Sequence, residues 1–177
     1  MKTLKQSTPM FIAKELKDKN ICEYLLYMWQ IEDTIRAYQL DLDRIKAEYV
    51  SRFQYPDAQR EEEEKWFGYL IDMMREEGVA EKGHLQMNRG TLELLTDKHL
   101  EMLHDKEQTA YSAAYYRALP YIVELRAHGD KDKPELETCL EALYGVMMLR
   151  LQKKEVSEGT QKAVKAISEM LAMLAKK

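Results

Sequence analysis

With 177 residues, seven glycines and four prolines, the chain is long enough for a self-sufficient core and poor in the residues that turn short strands, which excludes sandwiches and barrels. Its 31 acidic and 27 basic side chains are spread evenly and leave a net charge of −4, which excludes a general nucleic-acid binder. Two cysteines without CxxC spacing, no bilayer-length apolar run and no signal-like stretch in MKTLKQSTPMFIAKELKDK predict a cytoplasmic protein without disulfides, membrane spans or a leader.

Breaker residues divide the chain into about seven helical segments. A short Lys-rich turn or helix follows Pro9, and Asn20 is placed to cap a helix over Ile21 to Tyr38 (ICEYLLYMWQIEDTIRAY). Asp41 can cap a further helix carrying Leu42, Ile45, Tyr49 and Phe53, or the first helix runs on through it. Tyr55, Pro56 and Asp57 mark a break before a helix ending near Gly78, with Trp66, Tyr69, Leu70, Met73 and Met74 expected inward. Glu61 to Glu64 read as first-turn charges matched to the helix dipole.

After a loop from Gly78 to Gly83, a helix runs from about His84 or Thr91 to His104, burying Leu92, Leu95, Met102 and Leu103. The next, Lys106 to His128, carries Tyr111, Tyr115, Ala118, Ile122 and Leu125 inward, with Pro120 expected to kink it. Pro134 suits the first turn of a helix with Leu136, Leu140, Leu143, Met147 and Leu151 on one stripe. Met148 and Leu149 lie off that stripe, which predicts a central position. Ser157 can cap a last helix with Val164, Ile167, Leu171 and Leu174 inward, and its Lys-rich face reads as solvated.

The expected fold is therefore all-α, an antiparallel bundle of six or seven helices forming one domain over 1–177. Off-stripe Leu26, Phe67, Ile71, Met148 and Met173 are expected to leave apolar surface, so a homo-oligomer or a protein partner is expected.

One residue calls for more than folding. At about 100° per residue, Glu32 falls among Ile21, Tyr24, Leu25, Met28 and Ile35 on the apolar face of its helix. A buried carboxylate is costly unless paired. Arg36, one turn on, is the simplest partner. His99 and Arg150 also sit on apolar stripes, and if they converge with the hydroxyls of Tyr111 or Tyr115 they form a buried polar cluster around Glu32.

Other chemistry is weaker. Glu-x-x-His pairs stand at Glu81 with His84 and at Glu101 with His104, but the first spans a Gly loop and the second faces off its stripe, so a di-iron bundle is set aside. Glu61, Glu64, Glu76 and Glu77 only superficially resemble the paired acids of a magnesium pyrophosphohydrolase. HExxH, GxSxG, P-loop and GxGxxG motifs are missing, and no two histidines stand at i,i+4. No cofactor or metal is expected.

MFIAKEL at Met10 to Leu16 followed by EYLLYMWQIEDTIRAY at Glu23 to Tyr38 resembles a domain-of-unknown-function family of uncharacterised, all-helical bacterial proteins found mainly in Bacteroidetes. The resemblance implies an all-α cytosolic protein and transfers no catalytic residue. The expected function is a non-catalytic binding or protein-interaction module. The alternative is a small-ligand binder or enzyme built on Glu32, Arg36, His99, Tyr111, Tyr115 and Arg150.

Overall fold

The computed structural model describes residues 8–53 and 55–177, and these are all-α: eight α-helices and no strand. They are α1 (Pro9–Lys19), α2 (Ile21–Ala37), α3 (Leu42–Arg44), α4 (Asp57–Glu76), α5 (Gln86–His104), α6 (Thr109–His128), α7 (Glu135–Leu151) and α8 (Glu158–Leu174). The helix count exceeds the expected six or seven because the Pro9 segment and the short α3 are helices in their own right. The chain resolves into two compact units that divide within α5, Met1–Arg89 and Gly90–Lys177.

In the first unit α2 carries the densest core, with Leu25, Met28, Ile31 and Ile35 almost wholly buried. Asn20 starts it as expected, accepting the Glu23 N–H at 3.1 Å. It stops where Gln39 and Leu40 take left-handed backbone at φ +57° and +58°, which settles the ambiguity at Asp41 in favour of a break. Leu40 is nevertheless buried, and its carbonyl accepts from Arg75 Nη2 at 3.0 Å. The Asp41 side chain then caps α3 through the Arg44 N–H.

A π-turn (Ile45–Tyr49) and a 3-10 turn (Val50–Arg52) follow. The wide turn brings Ile45 and Val50, five residues apart, to the same buried side.

The inward face of α4 is only partly the predicted one: Leu70 and Met74 are buried as expected, but Trp66, Tyr69 and Met73 are not. Phe67, Leu70, Ile71 and Met74 are buried in line with Gln59 and Glu63, while Tyr69 is 66% exposed and Trp66 and Met73 are half-buried. Scoring apolar residues only had placed the stripe one position off, because two residues of the true face are polar. For the same reason Phe67 and Ile71, expected to leave apolar surface, are buried, and Glu63 is an interior group, not a solvated first-turn charge; Leu26 of α2, also expected at the surface, is buried too.

The second unit is built on contacts of α6 with α7 and α8 and of α7 with α8. Tyr111, Ala114, Ala118 and Ile122 of α6 meet a core that includes Val164, Ile167, Met170, Leu171 and Leu174 of α8. The helix continues through Pro120, which is exposed, so the carbonyl that proline leaves unbonded faces outward. Ser157 caps α8 as expected, accepting the Thr160 N–H at 3.2 Å. At its other end Lys98 Nζ donates to the carbonyls of Leu174 (2.7 Å) and Lys176 (2.6 Å), tying α5 to the negative end of α8. Of α5, Leu95 is buried, whereas Leu92, Met102 and Leu103 are half-buried.

Gln39 is exposed and left-handed, a conformation costing a non-glycine residue about 1–2 kcal/mol. Gln39→Gly is therefore expected to raise the midpoint of urea unfolding, by up to about 1 kcal/mol after the added freedom of the unfolded chain is subtracted. A loss of stability would show that the left-handed backbone is unstrained.

Candidate functional site

Glu32 is fully buried, and three groups from the end of the α4–α5 connection and the first turn of α5 meet its carboxylate. The Leu85 N–H donates to Oε2 at 3.1 Å, Asn88 Nδ2 donates to Oε1 at 3.0 Å, and His84 Nδ1 lies 3.3 Å from Oε2. Leu85 and Asn88 are buried as well, at 0% and 1% exposure, so these bonds work in a medium of low dielectric.

Facing a carboxylate, Nδ1 is the ring nitrogen that carries a hydrogen and donates it, so Nε2 is the nitrogen turned away from Glu32. The His84 ring stacks on Trp29, with centroids 4.4 Å apart and 16° between planes, and its side chain is 27% exposed. Stacking and the Glu32 bond together fix the imidazole.

Arg36 does not pair with Glu32. Its guanidinium bonds Asp33 at 3.0 Å, the Val79 carbonyl at 3.0 Å and the Gly83 carbonyl, which anchors the other end of the same loop. Glu32 and Arg36, one helical turn apart, thus grip successive parts of the 79–88 segment. Gly83 makes that path possible: its φ of +93° suits glycine, and a Cβ there would sit 3.3 Å from Val79 Cγ1. Glu77, considered above as a possible magnesium ligand, instead accepts the Gln86 N–H at 2.8 Å where α5 begins.

His99, Tyr111 and Tyr115 come together in the second unit. His99 Nδ1 and the buried Tyr111 hydroxyl are 2.5 Å apart, and the His99 and Tyr115 rings lie edge to face at 5.3 Å. The Tyr115 hydroxyl donates to Glu135 Oε2 at 2.8 Å, and Arg126 stands 3.8 Å from the other oxygen. Burial lowers the His99 pKa against a weaker opposing pull from Glu135, while burial and the Glu135 contact raise that of Tyr115. Arg150, near the end of α7, is exposed, so the expectation of an inward Arg150 is corrected.

Residues 10–177 match the family described as Domain of unknown function (DUF4924). The chain belongs to this family. No curated protein and no solved structure matches it.

In this DUF4924 chain, each of the two polar centres is completed within its own unit. The first holds a clamped carboxylate and an oriented imidazole; the second holds a buried histidine bonded to the Tyr111 hydroxyl and set edge to face against Tyr115, whose own hydroxyl bonds Glu135. Among the described residues, no group of three or more His, Cys, Asp or Glu stands together as a metal site. A cavity of about 330 Å³ lies elsewhere in the second unit, lined by residues that include Tyr121, Leu125, His128, Ala163 and Val164.

Sequence reasoning noticed His84 only through its spacing to Glu81, and it missed Asn88 and the Leu85 N–H. Asn88 gave a faint signal as a polar residue one turn into a helix. The backbone donor gave none.

Two expectations follow. Replacing Glu32 by Gln removes the charge that the three donors meet and turns an amide N–H₂ toward one of them, so the first unit should lose about 2–4 kcal/mol in urea unfolding. Unchanged stability would mean that the carboxylate is not the clamp. His99, buried neutral with a lowered pKa, contributes stability that is complete above its ordinary value of about 6.5 and is lost as pH falls below it. Stability should decline through that window in the wild type, and His99→Gln should flatten the slope; a slope preserved in the variant would assign it to another group.

Proposed function

We propose that this chain is a non-catalytic helical interaction protein that engages a second copy or another protein through apolar helix surface of its second unit. The observation that carries this is α7. Its first half buries Leu136, Cys139 and Leu140, but its second half buries only Val146 and leaves Leu143, Met147, Met148 and Leu149 half-buried and Leu151 62% exposed. Neighbouring α6 adds Tyr116 and Val123, at 66% and 58% exposure.

Methionines beside leucines adapt to a partner's shape at little cost in strain, which suits a helix-binding surface. Glu32, the main argument for chemistry, is buried with both oxygens hydrogen-bonded, which favours a structural role for it. Among the described residues no helix is long and apolar enough to cross a membrane, and both cysteines are buried, which is compatible with the cytoplasmic setting proposed for such a module.

One observation favours a second reading, a small-ligand binder or enzyme: His84 is oriented by Glu32 and stacked on Trp29 while its own edge stays partly open. A ligand bound to Nε2 would perturb Trp29, so a screen by tryptophan emission, with His84→Gln as control, separates the two. A compound that shifts emission in the wild type only would move the function to His84.

For the interaction reading, a photo-crosslinking residue at Leu151 is expected to capture one defined protein or a second copy in cells, and Met147→Glu is expected to abolish the adduct. A purified chain that stays monomeric at micromolar concentration and gives no adduct above background would end this proposal.

A further inference from the structure

A second buried carboxylate, in the first unit, is solved differently from Glu32. Glu63 of α4 is 0% exposed, and its Oε1 accepts the Met10 N–H at 2.7 Å, serving as the anion at the start of α1 in place of a local side-chain cap. Its other oxygen has no hydrogen-bond partner. Gln59, one turn earlier on the same face and 6% exposed, has neither its amide oxygen nor its nitrogen bonded. Thr8, 0% exposed and the residue preceding α1, turns its hydroxyl toward Glu63 near enough to favour the charged carboxylate but forms no hydrogen bond of good geometry.

Six buried side-chain polar atoms lack a partner among the described residues, and four of them belong to these three residues. Native interiors leave few such atoms, and a cluster of them marks the place of a water or an ion. The magnitudes decide between the two. A carboxylate carries a full unit of charge, whereas a helix N-terminus offers roughly half a unit. Among the described residues no Lys or Arg bonds Glu63, and Lys14 acts on it only from a distance. The hydroxyls of Tyr27, Tyr49 and Tyr55 surround it closely enough for its charge to disfavour their ionisation, so they add oxygen and no positive charge.

Among the described residues the Glu63 charge is therefore left without a bonded cation, and Glu63 Oε2, Gln59 Oε1 one turn earlier on the same buried face and Thr8 Oγ1 lack a hydrogen-bond partner. We propose that these three oxygens bind a small monovalent cation between α1 and α4, of the size of sodium, potassium or ammonium. A single carboxylate suits one positive charge, whereas divalent ions draw on more carboxylates. Gln59 Nε2 is then left to donate to a water of the ion's own shell. When Glu63 starts protonated, binding is an exchange in which the cation enters and the carboxyl proton leaves to solvent.

The test is thermal unfolding of the full chain in sodium, potassium, ammonium and choline chlorides at matched ionic strength and mildly alkaline pH. At least one small cation is expected to raise the midpoint saturably above choline, which is too large for the site. Glu63→Gln is expected to remove that increment. Thr8→Val, which keeps shape and loses one oxygen, should weaken the apparent affinity several-fold and serves if Glu63→Gln fails to fold. Equal midpoints in all four salts, the result expected of a water only, would overturn the proposal, as would an increment that survives in both variants.

Discussion

The first unit depends on the cost of leaving a carboxylate in an apolar interior. Glu32 sits among Leu25, Met28, Ile31 and Ile35, where an unpaired charge is destabilising by several kcal/mol. The chain meets that cost by folding the 79–88 segment back onto α2. Every donor to Glu32 comes from the end of this segment, and Arg36 holds its beginning by two carbonyls. Without the charge, the segment would have little to specify its path, since Leu85 is its one fully buried apolar side chain. The start of α5 follows from the same constraint: Leu85 and Asn88 must reach one carboxylate, and a first helical turn supplies that spacing.

Glu63 shows the opposite balance. Glu32 receives two strong donors and an imidazole, whereas Glu63 receives one backbone N–H and is surrounded by groups that are neutral or acceptors. Desolvation then dominates and pushes its pKa up, opposed by the Met10 bond and the nearby Thr8 and Lys14. Such a group contributes most below the ordinary carboxylate range, and its contribution is lost as pH rises through the elevated value. Two glutamates in one unit thus differ in what they can exchange with solvent: Glu32 is closed by protein donors, and Glu63 retains an open valence.

Much of the fold was legible. Asn20, Asp41 and Ser157 act as the caps their side chains suggested, Pro134 immediately precedes α7, and α8 buries the face its spacing marked, because local donors and periodicity decide these features. Misplacement began where polar residues belong to the interior. On α4 the true face includes Gln59 and Glu63, so an apolar count rotated the helix by one residue and sent Phe67 and Ile71 outward.

The site was half legible for a related reason. Glu32 stood out because a charge on an apolar stripe is visible in one helix, and His99, Tyr111 and Tyr115 do meet. Their partners depend on tertiary path. The left-handed turns at Gln39, Leu40 and Gly83 decide which segments return to α2, and no local propensity of Gln or Leu announces them. Arg36 was read as an ion-pair partner because it lies one turn from Glu32, yet three acceptors farther along its reach outcompeted that neighbour.

These features together weigh on function. A general base needs an oriented nitrogen, an open approach and a second group to stabilise the charge it creates. His84 has the first and part of the second. Around it, Asn88 and the Leu85 N–H donate to Glu32, and Arg36 donates to backbone carbonyls. Immobilising a histidine is equally what a buried carboxylate does when it closes a loop. The apolar residues in the second half of α7 have no such internal explanation: Val146 is buried, but Leu151 is exposed and Leu143, Met147, Met148 and Leu149 are only half-buried. Surface that folding does not use is the stronger indication of what the chain meets.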